Sequence, residues 1–191
     1  MIKAIIFDCF GVIITDGLEL VVRQIEVERS EARAYISSLI HQNNRGLIDP
    51  AESTAQIADY LGLAVDTLRK MIADSETKDS TLMDWVLELR ATFKTALLSN
   101  IGRGSLGVRF SDTELAEHFD EVIVSGEVGI MKPDPEIYEL TAARLGLQPN
   151  ECIFFDDRQS HVDGALSVHM HAFLFTTIAQ AKADLEKLLR S

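Results

Sequence analysis

The stretch Lys3-Ala4-Ile5-Ile6-Phe7-Asp8-Cys9-Phe10-Gly11-Val12 decides the fold class. Ala4 to Phe7 is an unbroken apolar run, the mark of a strand covered on both faces, as in a parallel sheet. The run ends on an acid, Asp8, and Gly11 soon after lets the backbone turn sharply. Open α/β sheets bind ligands at the carboxyl ends of their strands, which makes Asp8 the candidate reacting group. Read alone, Asp8 is more plainly a turn-opening residue that bonds its own backbone.

Behind this strand, from about Thr15 to Ser80, no strand pattern occurs. Leu18, Val21, Val22 and Ile25 fall at helical spacing, as do Ile36, Leu39 and Ile40. Asp49-Pro50-Ala51-Glu52 has a capping acid, proline in the first turn and an acid three residues on, so it predicts a helix start. That helix buries Ile57, Tyr60 and Leu61 and stops at Gly62; another carries Leu68, Met71 and Ile72. Residues 15–80 therefore read as a helical cap inserted into a core made of 1–14 and 81–191, with Asp74 to Asp79 as the return linker.

From Thr81 helices and strands alternate. Strands are expected at Thr95 to Leu98, Val122 to Val124, Cys152 to Phe155 and Ala172 to Phe175, with helices between them. Ser125 to Met131 reads as a loop closed by Lys132-Pro133. The expected fold is a Rossmann-like α/β parallel sheet with helices on both faces, interrupted once by the cap.

With 191 residues the chain can bury one full core and carry a modest insertion. Hydrophobic content of 47% and charged content of 25% are those of a globular chain and argue against disorder. A net charge of −12 argues against nucleic acid or an anionic membrane as partner, and any phosphate site needs a local cation against that field. No apolar run approaches the roughly 20 residues of a membrane span, and Met1-Ile2-Lys3 leads straight into the fold instead of a signal peptide. Cys9 and Cys152 flank expected core strands and read as buried small hydrophobes of a reducing compartment, so a cytoplasmic chain is expected. Oligomeric state has no readable signal.

The strand ends converge on one edge: Asp8 from the first, Ser99 and Asn100 from the second, Lys132 from the loop after the third, Asp156 and Asp157 from the fourth. Three crowded carboxylates repel unless a divalent cation sits among them, and hard oxygen ligands suit Mg²⁺. Lys132, the Ser99 hydroxyl and the Asn100 amide would hold a phosphoryl group in line with an Asp8 oxygen. Each has a plainer reading: Ser99-Asn100 as a helix cap, Lys132 as a surface lysine, Asp156-Asp157 as a solvated turn.

FDCFGVI (Phe7 to Ile13), LLSN (Leu97 to Asn100), GIMKPDPEIY (Gly129 to Tyr138) and FFDDRQSHVDGA (Phe154 to Ala165) occur in order at these strand ends. Together they resemble the haloacid dehalogenase-like (HAD) hydrolase superfamily, in its branch with a helical cap after the first strand. The resemblance implies that Asp8 is the nucleophile of an aspartyl intermediate and that Ser99 and Lys132 bind the transferring group, with Asn100 in support. It implies Mg²⁺ on Asp8, the Phe10 carbonyl and Asp157, with Asp156 close by or acting through water, and a small phosphorylated substrate.

Phe10 departs from the pattern, because most phosphatases of the superfamily carry a second aspartate there as general acid and base. Losing such a group typically costs about 10² to 10⁴ in rate. Three readings compete. A 2-haloacid dehalogenase has an aromatic residue at that place and works without metal, which fits the Asp156-Asp157 pair poorly. A phosphatase whose leaving group needs little help, such as a sugar 1-phosphate, aryl or acyl phosphate, is the second, because the FDxxxVI pattern without a second Asp is similar to that of some sugar-phosphate phosphatases of this branch; Asp16 is a conceivable proton source or a hinge residue. A pseudo-hydrolase would keep only phosphate binding. Elsewhere, Cys9 lacks the arginine of a cysteine phosphatase loop, and His169 and His171 lack partners at zinc spacing. His41, Asn43, Asn44 and Arg45 form the polar cluster through which a cap would contact substrate, or a solvated loop, and Glu26 to Arg33 reads as an exposed charged face.

Overall fold

A computed structural model of the chain describes residues 1–24 and 30–190. Ile25 and positions 26–29 of the charge cluster lie outside the described residues. Among the described residues, five strands, β1 (Ala4–Phe7), β2 (Lys94–Ser99), β3 (Glu121–Val124), β4 (Cys152–Asp156) and β5 (His171–Leu174), form one sheet in the order β3-β2-β1-β4-β5. Every pairing is parallel, with Phe7 opposite Leu97 on one side and Phe155 on the other.

The helices are α1 (Gly17–Gln24), α2 (Ser30–Asn44), α3 (Pro50–Tyr60), α4 (Val65–Ser75), α5 (Ser80–Arg90), α6 (Asp112–His118), α7 (Ser125–Val128), α8 (Pro135–Arg144), α9 (Gln159–Ser167) and α10 (Ile178–Leu189). None among the described residues is long and apolar enough to cross a membrane.

Strand alternation explains the continuous apolar run. Ile5 and Phe7 face α5 and α10, where Trp85, Val86 and Leu185 wait, while Ala4 and Ile6 face Ile137 and Tyr138 of α8 and Ala165 of α9. Phe7 stacks on Phe155 with ring centroids 5.6 Å apart and meets Trp85 edge-on at 5.7 Å. Burying one such side chain contributes about 1.5–3 kcal/mol.

Helices α1 to α4 enclose a second cluster of Val21, Val22, Ile36, Leu39, Ile57 and Leu68. Asp49 caps α3 by accepting from the Ala51 N–H at 2.8 Å. The insert leaves and rejoins the sheet through a paired neck: Ile14 bridges Lys78, Thr15 N–H donates to the Thr77 carbonyl, and Thr77 N–H donates to Thr15 Oγ1. At its other end Arg45 reaches Asp134 at 2.7 Å, and Gly46 lies against the Gly126 carbonyl.

Three expected boundaries shift. Asp74 and Ser75 complete α4 instead of starting a linker, with Lys70 and Asp74 paired at 2.8 Å one turn apart. The loop expected from Ser125 contains a helical turn, α7, whose Ser125 hydroxyl accepts from the Ile101 N–H at 3.0 Å. β5 begins at His171, one residue before the expected Ala172, and His169 stands in a left-handed turn (φ 63°) ahead of it.

Candidate active site

Parallel strands deliver their ends to one edge, and there Lys132 is the hub. It is almost wholly buried, and its ammonium lies 2.6 Å from Asp8 Oδ1, 2.7 Å from Asp156 Oδ2 and 3.0 Å from the Leu98 carbonyl. An ammonium has three N–H groups, so all three are engaged, and a phosphoryl group would share them. Asn100 places this lysine: its amide donates to the Lys132 carbonyl at 2.8 Å and accepts from the Lys132 N–H at 2.9 Å. Asn100 thereby braces the lysine's backbone.

Asp8 Oδ1 also accepts from the Cys9 N–H at 2.6 Å, so the hydrogen bonds gather on that oxygen and leave Oδ2 for chemistry. Burial, with the charge of Asp156 adding, pushes the Asp8 carboxyl up to about 7 against the pull of Lys132. Asp156 goes the other way. Burial would raise it, but Lys132 and His161 outweigh that and hold it well below the usual carboxylate range. Both of its oxygens are engaged, Oδ2 by Lys132, Oδ1 by the Arg158 N–H at 2.9 Å, and each by His161 Nδ1 at 3.0 Å. With two acceptors facing it, Nδ1 carries the proton there.

Asp157 points outward from this cluster. It is exposed, and its carboxylate fills the space where a side chain on Gly11 would project; Gly11 has φ 88°, a left-handed conformation that suits glycine. Partial burial and then the charge of Asp156 raise the Asp157 carboxyl above its ordinary value. The Ser99 hydroxyl is buried and has no hydrogen-bond partner among the described residues. Cys9 is buried, which pushes its thiol up and leaves it inert.

The donor chemistry suits a hard divalent cation. Asp8 has an uncommitted oxygen, the Phe10 carbonyl accepts none of the main-chain hydrogen bonds of its turn, which go to Cys9 and Ile14, and Asp157 abuts the same turn. Asp156 stands behind them, its oxygens taken by nitrogen donors.

A cavity of about 950 Å³ opens between this edge and the insert, and Asp8, Phe10, Asn100, Lys132 and His161 line it. From the insert His41, Asn43 and Asn44 reach its wall, whereas Arg45 is spent on Asp134 and His41. Asp16 lines it too, but caps α1 through the Glu19 N–H at 3.1 Å and pairs with Arg158 at 3.3 Å, so it is a neck residue first. Sequence reading missed two wall residues. His161 has one signal, its place in the first turn of the helix that follows the acidic pair. Arg109 has none, since Glu76 and Phe10, the side chains it meets, are distant in sequence.

A profile of the haloacid dehalogenase-like hydrolase family matches residues 2–169. Acyl-CoA dehydrogenase family member 10 of Mus musculus is 33% identical over 141 residues, covering 73% of this chain but only 12% of that much longer protein. D-ribitol-5-phosphate phosphatase of Bacteroides thetaiotaomicron is 24% identical over the full length of both chains. A HAD family enzyme of the same organism, solved with magnesium and inorganic phosphate, superposes with a TM-score of 0.76 at 21% identity, covering 92% of this chain and 95% of that one.

Proposed function

The chain belongs to the haloacid dehalogenase-like hydrolase family, and from that premise we propose that it is a magnesium-dependent phosphatase of a small phosphorylated metabolite. The carrying observation is the Lys132 ammonium, 2.6 Å from a carboxylate that keeps one oxygen free. A buried cation beside a nucleophile is what an incoming phosphoryl group needs in a chain of net charge −12.

An Asp8 oxygen donates an electron pair to phosphorus, the bond to the leaving oxygen breaks, and that oxygen departs with its electrons. Water then adds to phosphorus, the bond to Asp8 breaks, and the carboxylate returns as phosphate leaves. One water is consumed, and its proton balances the departing anion. Lys132 and the unpartnered Ser99 hydroxyl hold phosphoryl oxygens, while Asn100 and Asp156 keep Lys132 in place. Asp8, the Phe10 carbonyl and Asp157 would hold Mg²⁺, with Asp156 behind them, and its charge when bound offsets the carboxylates and the phosphoryl oxygens. Residues 15–80 act as the cap that closes over the substrate and selects it.

A relative acts on D-ribitol 5-phosphate, which supports a small phosphorylated metabolite as substrate class. Phe10 favours a second reading, a 2-haloacid dehalogenase, because a halide departs without a proton. Incubation with p-nitrophenyl phosphate and with 2-chloropropionate, each with Mg²⁺ and with EDTA, separates them. Mg²⁺-dependent phosphate release that disappears in Asp8→Asn is expected. Metal-independent chloride release supports the second reading, and neither product leaves a phosphate-binding pseudo-hydrolase.

A further inference from the structure

No ionisable side chain stands at position 10, yet a guanidinium lies against it. Arg109 follows the 3-10 turn Ser105–Val108, and its Cζ is 5.1 Å from the centroid of the Phe10 ring. Its head is held from three sides. Nε donates to Glu76 Oε2 at 2.9 Å, Nη2 to Glu76 Oε1 at 2.5 Å, and Nη1 to the Ser105 carbonyl at 2.8 Å. Both side chains are largely withdrawn from water, Arg109 at 16% exposure and Glu76 at 13%. A guanidinium carries five N–H groups, so two remain without a partner among the described residues. Phe10, Arg109 and Glu76 share the cavity wall with Asp8 and Lys132.

In-line attack puts the leaving oxygen on the far side of phosphorus from Asp8. Asp8 follows the last residue of β1 and lines the same cavity as Phe10 and Arg109, so a leaving group opposite Asp8 lies in that cavity. We propose that Arg109, stacked on Phe10 and tethered by Glu76, stabilises the leaving oxygen as a fixed positive charge and not as a proton donor; this rests on the phosphatase reading above. Arginine keeps its proton at any working pH. The phosphorus–oxygen bond therefore breaks with its electron pair passing to an oxygen that departs as an anion beside Arg109 and takes its proton from water afterwards. Such a site favours acidic leaving groups, as in acyl, aryl and sugar 1-phosphates, over phosphates of simple primary alcohols. Glu76, in the neck of the insert, fixes the guanidinium and offsets part of its charge.

The test is a series of aryl phosphates, from nitrophenyl to phenyl, with one primary alkyl phosphate. Wild-type kcat/KM is expected to fall steadily as the leaving group becomes less acidic. Arg109→Met keeps the aliphatic stem, and should lose about 10²-fold on phenyl phosphate, near the loss on removing one oxyanion donor, but under about tenfold on the nitrophenyl ester. Arg109→Lys should recover part of the loss. Glu76→Gln frees the guanidinium's charge and should flatten the dependence on leaving-group acidity. If Arg109→Met and Glu76→Gln lower every substrate by one common factor, with parallel leaving-group slopes, the pair is only a latch between insert and core and the proposal is overturned. If wild type releases phosphate from no ester, the phosphatase reading fails with it, an outcome distinct from parallel slopes.

Discussion

The Lys132 ammonium lies 2.7 Å from Asp156 Oδ2, and neither side chain reaches solvent. Burial works against a charged lysine, but the carboxylates of Asp8 and Asp156 outweigh it and hold Lys132 above its ordinary value. Each charge is tolerated in the interior only because the other is present.

Breaking that pair should therefore destabilise more than it disarms. Asp156→Asn removes one of two counter-charges, and losing one partner of a buried pair costs about 3–5 kcal/mol. Urea unfolding at neutral pH measures the loss directly. A change below about 1 kcal/mol would show that the pair is solvated in solution.

The raised Asp8 carboxyl has a pH signature. Its ordinary value is 3.8 and its folded value about 7, so between the two the folded state binds more protons than the unfolded one. Stability from this group is thus present in acid and declines as pH rises through that window. In EDTA, Asp8→Asn should melt higher than wild type at pH 8, with the gap closing towards pH 5. Asp156, held low, contributes the opposite slope, present above its ordinary value of 3.8 and lost as pH falls further. Thermal melts across pH 4 to 8 check the sign, and a gap that widens on acidification refutes it.

Magnesium should stabilise the folded chain. A ligand at 100 times its Kd adds about 2.7 kcal/mol, or about 5–11 °C in Tm for a chain of this size. Asp157→Asn and Asp8→Asn should each shrink that rise. Melting curves with and without Mg²⁺ read the effect without any substrate, and an undiminished rise in both variants would move the metal elsewhere.

The seam between insert and core rests on Gly46. It has φ 69°, and a Cβ there would run into the Gly126 carbonyl. Gly46→Ala should cost about 1–3 kcal/mol in backbone strain and lost fit. By loosening the Arg45–Asp134 contact beside it, the variant should raise KM more than it lowers kcat. Steady-state kinetics on p-nitrophenyl phosphate test this, and an unchanged KM would mean the seam does not bear on substrate.

Much of this was legible in the residues. β1 and β4 are buried on both faces, so their apolar runs are unbroken and their terminal acids conspicuous. β5 begins at His171, one residue before the expected Ala172, because a histidine does not stand out from the polar turn ahead of it, where His169 takes a left-handed conformation. α7 escaped because what holds it is a side-chain bond between Ser125 and Ile101, 24 positions apart. Arg109 escaped for the same reason, its partner Glu76 lying 33 positions away.

The chain's own order of residues determined that a parallel sheet with helices inserted after its first strand would form, and that Asp8 and the two late acids would stand at the ends of its strands. Burial periodicity and strand-end chemistry are local properties, and local properties can be read along one dimension. Only the tertiary structure decided which late acid turns inward to Lys132 and His161, which turns outward to Gly11, and that a guanidinium stands beside Phe10. Those outcomes depend on distances between side chains from separate elements, and such distances exist only once the helices and strands have packed.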